Sequence, residues 1–497
     1  MFFHTIEFAI FLPVVFSLYW FCTAKNLKLQ NLLIVVASYF FYGWWDWRFL
    51  GLILISTFQD YFVAQKIQST IDIGKRKAWL IVSIVGNIGI LGFFKYYNFF
   101  VGSFAESFRF LGTMPNIPTL NIILPVGISF YTFQTMSYTI DVYRRKLTPT
   151  KDFVAFAAFV SFFPLLVAGP IERATNFLSQ FFTRRVFDYN KAVDGMRQIL
   201  WGLFKKVVVA DTCARYVNEV FGHAAGIPHT ITDSLKLESG STLFVGAVFF
   251  AFQIYCDFSG YSDIAIGTSR LFGFNAMRNF NFPYFSRDIA EFWRRWHISL
   301  TTWFRDYVYI PLGGSRVSKA GIIRNTFVIF LISGFWHGAN WTFIIWGAIH
   351  AILFLPLILL GRNRTYTDTV ADGRLLPNFK EVFQMTVTFL LVLFGWIFFR
   401  AENIGVAVGY LSGIFSKSLF SLGMLYGKKS VLDTTILIGG MLAVEWIGRK
   451  NQFGLERFGL SWKRIPRLAF YLGLTLMILF YSLIGMEEAT DFIYFQF

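Results

Sequence analysis

Apolar positions along this chain neither alternate nor thin into narrow stripes; they gather into long blocks. Ile6–Ala24, Leu29–Trp45, Phe49–Val63, Ala78–Phe94, Leu120–Ile140, Leu243–Cys256, Thr326–Trp336, Trp341–Leu360, Val382–Phe399, Val431–Ile447 and Leu468–Ile484 carry few charges. A membrane-spanning helix needs about 17–25 such residues, so the pattern predicts an all-α polytopic membrane protein with roughly ten to twelve spans. The shorter blocks read as tilted or re-entrant. Outer-membrane barrels alternate lipid-facing and lumen-facing residues over about ten positions, which these blocks do not. Met196–Ala210 differs, because Lys205 and Lys206 interrupt it. It predicts an amphipathic helix lying in the interface.

Composition agrees. Of 497 residues, 55% are hydrophobic and only 15% charged, which excludes a soluble domain of this length. Aromatic clusters such as Tyr39-Phe40-Phe41-Tyr42-Gly43-Trp44-Trp45 fall at block ends, where amphipathic rings favour the headgroup layer. The formal charge of +16 sits largely in short loops, among them Lys75-Arg76-Lys77, Arg144-Arg145-Lys146 and Arg362 to Lys380. That is the positive-inside pattern, and it does not call for nucleic acid. No Lys or Arg precedes the first block, whereas Lys25 and Lys28 follow it, which predicts an extracytoplasmic N-terminus. The basic loop from Arg449 to Arg467 puts the start of the last block inside and the tail 486–497 outside. Without a basic n-region, the first block is expected to stay as an anchor. Cys22, Cys213 and Cys256 offer neither a disulfide framework nor metal-ligand spacing. One integral membrane domain, 1–497, is the simplest organisation.

The costliest residue is His337, within Ser333-Gly334-Phe335-Trp336-His337-Gly338-Ala339-Asn340-Trp341. An ionisable group at membrane depth costs several kcal/mol unless it faces a cavity or a partner. Gly334 and Gly338 flank it and leave room for a ligand near the backbone. A helix-packing histidine is the plain alternative. A second block runs from Asp288 to Arg316, where Trp293, Trp296, Leu300, Trp303 and Phe304 recur at helical spacing beside His297. Arg294, Arg295, Arg305 and Arg316 there suit the phosphates of a nucleotide carrier, and equally lipid headgroups. Two Pro- and Gly-broken blocks, Leu124–Gln134 and Phe163–Arg173, imply irregular backbone beside protein or a water-lined cavity. Gln134 suits a hydrogen bond across helices. In Tyr255–Asp263, Asp257 and Asp263 lie six positions apart, a poor match to one helical face, and they read as anchors for nearby arginines. His350 reads as structural, and His4, His223 and His229 carry no pattern. Serine-nucleophile elbows, phosphate-binding Gly-rich loops and the His-Glu-x-x-His zinc signature do not occur.

Trp336-His337-Gly338, Trp296-His297 and Arg305-Asp306-Tyr307-Val308-Tyr309-Ile310-Pro311-Leu312-Gly313-Gly314 together resemble the membrane-bound O-acyltransferase family. Phe252–Gly267 and Pro164-Leu165-Leu166-Val167-Ala168-Gly169-Pro170-Ile171 extend the likeness over most of the chain. It is nearest to the branch of bacterial alginate O-acetylation membrane proteins and related polysaccharide O-acetyltransferases. The resemblance implies re-entrant and interfacial helices around a central tunnel, with a catalytic core at about 120–360. It implies transfer of an acyl group, usually acetyl from acetyl-coenzyme A, across the cytoplasmic membrane to an extracytoplasmic polysaccharide. His337 matches the family's histidine and His297 the second polar position of this branch. Arg294, Arg295 and Arg305 become candidates for donor binding. No metal or bound cofactor is implied. Partners would be a separate extracytoplasmic SGNH-type transferase, the polymer and membrane lipid. Tyr494, in the aromatic tail Asp491–Phe497, becomes a candidate acyl relay or plug. D-alanyl transfer to teichoic acid, peptidoglycan O-acetylation and lipid acylation stay open within the family. A transporter is the rival from another class; it predicts internal two-fold repeats, and the His337 block has no counterpart in the first half.

Overall fold

The computed structural model describes residues 1–109, 112, 118–222, 239–421, 428–485 and 493. His223, His229, Tyr494 and the rest of the tail except Ile493 lie outside the described residues. The described residues contain no strand. Among the described residues, seven helices are long and apolar enough to cross a membrane: Ile73–Arg109, Gly240–Leu271, Lys319–His337, Trp341–Leu359, Phe379–Arg400, Ser430–Ile447 and Arg464–Ile484. The blocks at Ile6–Cys22, Leu27–Asp46, Leu50–Ser69 and Ile128–Tyr143 also become helical, but they are shorter or carry buried polar side chains. The chain folds as two compact units, Met1–Met196 with Ala265–Met277, and Arg197–Ile264 with Arg278–Phe497. The core expected at about 120–360 therefore contributes to both.

In the first unit, polar groups join helices that have little hydrophobic drive to associate in lipid. Asp60 accepts from Ser83 Oγ and Asn87 Nδ2, each at 2.7 Å. Asn87 Oδ1 accepts in turn from Ser56 at 2.9 Å and Thr135 at 3.3 Å. Gln134 reaches across to the Phe159 carbonyl at 2.8 Å, as its position suggested. Gly127 sits at φ +73°, where an added Cβ would come 2.5 Å from the Leu166 carbonyl. The break before Ile128–Tyr143 thus requires glycine. The broken segment after Phe162 has its first N–H, that of Phe163, bonded to Ser38 Oγ at 3.0 Å.

In the second unit, the stretch expected to lie in the interface is instead buried. A π-turn, Phe204–Ala210, aims both lysines inward, with side chains 3% and 1% exposed. Lys205 pairs with Asp263 at 2.7 Å, and Lys206 with Asp257 at 2.8 Å. The acids expected to anchor arginines anchor lysines. Glycines make the reach possible: a Cβ on Gly202 would come 2.5 Å from the Gly260 carbonyl, and one on Gly260 would come 2.7 Å from the Gly202 carbonyl. The two helices cross almost backbone to backbone there, which brings the lysines within reach of the acids.

Candidate functional site

The site is built in the second unit on a helix that breaks. Helical spacing through Trp293, Trp296, Leu300 and Trp303 predicted one continuous element, but the structure gives Ile289–Arg295 and Ile298–Phe304. Asp288 caps the first through a 2.6 Å bond from the Glu291 N–H. Between the two, Trp296 is extended and His297 is left-handed, φ +42°, ψ +56°. A non-glycine residue held there costs on the order of 1–3 kcal/mol and persists only where its surroundings over-determine it. Here they do. The segment 279–281 takes up the freed backbone groups: the Asn281 N–H donates to the Arg295 carbonyl at 2.9 Å, and the Ile298 N–H to the Asn279 carbonyl at 2.8 Å. Ser299 Oγ adds a 2.5 Å bond to Asn279 Oδ1. The break turns His297 inward until 1% of it is exposed. Its ring meets Phe258 edge to face at 4.6 Å and lies 6.0 Å from Trp336. Burial pushes its pKa down from 6.5 to about 3, so the imidazole is neutral at physiological pH.

His337 ends the helix Lys319–His337, and Asn340 caps Trp341–Leu359, forming a tight hairpin. A Cβ on Gly334 would overlap the Phe343 carbonyl, one on Gly347 the Phe330 carbonyl, and one on Gly338 the Phe343 ring. Gly334 and Gly338 were expected to admit a ligand. They admit the partner helix instead. His337 is 4% exposed, with ring contacts to Trp336 at 4.8 Å, Trp346 at 5.1 Å and Phe399 at 5.3 Å. It is the last residue of its helix, and Gly338 after it is extended.

Both histidines line one cavity of about 500 Å³, together with Ser333 and the side chains of Arg294, Arg305 and Arg364. Arg294 is steadied by the carbonyls of Asn363 at 2.8 Å and Tyr366 at 2.6 Å. Arg305 lies against Asp306 at 2.7 Å with over half its side chain exposed. Arg295 does not line this cavity: it is buried and pairs with Glu291 at 2.7 Å. Glu291 also holds Arg287 at 3.0 Å. The Arg295 charge is spent within the protein. Arg364 was read only as loop charge, and nothing in its spacing distinguished it from its basic neighbours. His350 stands apart from the cavity, its Nδ1 accepting from Trp293 Nε1 at 3.3 Å.

Fold and site together define a multi-pass, all-helical membrane protein with two buried histidines facing a common chamber. Residues 144–400 match the model of the membrane-bound O-acyltransferase family. A Pseudomonas aeruginosa protein named "Probable alginate O-acetylase" is 42% identical over 417 residues, covering 84% of this chain and 75% of the relative. Its namesake in Pseudomonas putida is 36% identical over 505 residues, 98% of each chain. A peptidoglycan O-acetyltransferase of Helicobacter pylori is 36% identical over 432 residues, 81% of this chain and 77% of the relative. The chain belongs to the membrane-bound O-acyltransferase family, and it is an O-acyltransferase.

Proposed function

We propose that this enzyme transfers an acetyl group from acetyl-coenzyme A, on the cytoplasmic side of the cytoplasmic membrane, for O-acetylation of an extracytoplasmic polysaccharide. The observation that carries the reading is the shared cavity, lined by two buried histidines and by three arginines. His337 takes the proton of the attacking hydroxyl while its oxygen adds to the thioester carbonyl carbon. The C–S bond then breaks, and coenzyme A leaves as the thiol with that proton. His297, neutral, donates its N–H towards the carbonyl oxygen as negative charge develops there. Arg294, Arg305 and Arg364 are assigned to the phosphates of the donor. Arg295 acts behind them, fixing the helix Ile289–Arg295 through Glu291.

Acetyl is favoured over D-alanyl because the three relatives above are all named for O-acetyl transfer. A saccharide acceptor is favoured because two are named for alginate and one for peptidoglycan. Both termini are assigned to the extracytoplasmic side, where Tyr494 would serve as relay or plug and an SGNH-type transferase would complete delivery. The test is reconstitution into proteoliposomes with acetyl-labelled coenzyme A on one face only. Label is expected to be released from the thioester and to appear on a saccharide acceptor supplied, with its transferase, on the other face. Label that stays on the donor's side, or an acetylation rate unchanged by omitting this protein, refutes the proposal.

A further inference from the structure

Two adjacent residues of the helix Gly240–Leu271 face different neighbours. Phe258 meets the His297 ring at 4.6 Å. Asp257, one position earlier, has Oδ1 2.8 Å from Lys206 Nζ, and its Oδ2 accepts a 2.7 Å hydrogen bond from the backbone N–H of Ile493. Ile493 is 236 residues away in the sequence and 2% exposed. A carboxylate withdrawn from water needs partners for both oxygens; Lys206 supplies one and the C-terminal segment the other. Such a charge-assisted bond is roughly twice as strong as a neutral one. Because it grips the backbone, it fixes which residue of the tail sits there, and the buried Ile493 side chain reinforces that register.

We propose that Asp257 is a positioning residue for acyl transfer: held by Lys206, it pins the C-terminal segment at Ile493 to the helix whose next residue touches His297. This rests on the reading above in which the segment carrying Tyr494, the residue after Ile493, takes part in delivery. The Lys206–Asp257 pair is then more than a membrane-depth neutralisation. It ties Ile493 to the helix whose Phe258 meets the His297 ring.

The test uses full-length enzyme. Ile493→Pro deletes the donor N–H and leaves the Lys206–Asp257 pair untouched. Asp257→Leu deletes the acceptor, and Asp257→Asn keeps an acceptor oxygen. Hydrogen-exchange mass spectrometry of the C-terminal peptide reads the anchor, acetyl-coenzyme A hydrolysis reads the donor step, and polymer acetylation in cells reads delivery. Ile493→Pro and Asp257→Leu are expected to speed C-terminal exchange at least tenfold and to cut polymer acetylation at least tenfold, with a smaller fall in thioester hydrolysis. Asp257→Asn should retain most of both protection and acetylation. Should Asp257→Leu fail to fold, Ile493→Pro still decides. Unchanged exchange in Ile493→Pro overturns the anchor, and faster exchange with undiminished acetylation overturns the positioning role. Deletion of 493–497 keeps the two ideas apart: full acetylation there sinks the tail's part in delivery, while the exchange result on the anchor stands by itself.

Discussion

Replacing His337 with alanine should separate chemistry from stability. The imidazole makes ring contacts with Trp336, Trp346 and Phe399 at 4.8, 5.1 and 5.3 Å. Losing contacts of this kind costs together about 1–3 kcal/mol. The vacated space opens onto a cavity of about 500 Å³, so no closed void is created. Loss of the proton acceptor, by contrast, slows transfer roughly 10²–10⁴-fold, or about 2.7–5.4 kcal/mol in barrier. His337→Gln restores part of the volume without an imidazole to take the proton, so it should recover stability and leave activity low. The assay is acetyl content of the surface polymer at matched protein abundance, alongside thermal unfolding of purified enzyme. Acetylation by His337→Ala within tenfold of wild type, at equal abundance, would falsify the assignment of His337 as base.

Three further outcomes follow from the same geometry. Gly334→Ala should lower the unfolding midpoint by about 1–3 kcal/mol equivalent, because its Cβ would overlap the Phe343 carbonyl, while Gly89→Ala, with nothing within 4 Å, should be neutral or slightly stabilising; equal midpoints in thermal melts would contradict the hairpin packing. Arg364→Gln should raise the donor KM more than it lowers kcat, whereas Arg295→Gln should chiefly destabilise, since it strips Glu291 of a buried partner; the reverse pattern in a thioester-hydrolysis assay would exchange their roles. His297 is neutral in the folded state down to about pH 3, and its ordinary pKa is 6.5, so between those values the unfolded chain binds more protons. Its contribution to stability is full above 6.5 and is lost as pH falls towards 3. Wild type should therefore lose more stability than His297→Gln between pH 7 and pH 4, and parallel melting curves would count against a buried neutral imidazole.

How far the sequence could carry this reading depends on the residue. That His337 would be buried beside a cavity was legible, because one imidazole in an apolar block has few explanations, and the long uncharged blocks, which do not alternate, have only the helix available in lipid. The break at His297 was not, because the stripe through Trp293, Trp296, Leu300 and Trp303 keeps helical spacing across it. A left-handed histidine has no signature like glycine's, and the backbone partners that make the break possible come from 279–281. Lys205 and Lys206 were misjudged for a related reason. Two lysines in an apolar run read as an interfacial face unless the distant carboxylates that receive them are known. Gly334 and Gly338 marked close approach correctly, but only the structure names what approaches. Arg294 and Arg295, adjacent and chemically alike, separate through their partners: the Asn363 and Tyr366 carbonyls for the first, Glu291 with the Asn281 and Asp368 carbonyls for the second.

The lysine–aspartate pairs also bear on how the chain is made. An isolated charge at mid-membrane costs several kcal/mol, so a helix carrying Asp257 and Asp263 resists release into lipid on its own. Lys205 and Lys206 are synthesised about 50 residues ahead of those acids, which at typical bacterial rates is on the order of seconds. When the acidic helix emerges, the lysines that pair with Asp257 and Asp263 are already in place, with Lys206 also 2.7 Å from Asp211 of its own segment. Glu445, 3.9 Å from Lys205, arrives 182 residues after Asp263 and meets a lysine already engaged. Chain order thus lets the lysine–aspartate pairs of this crossing form before the hairpin that carries His337 is translated.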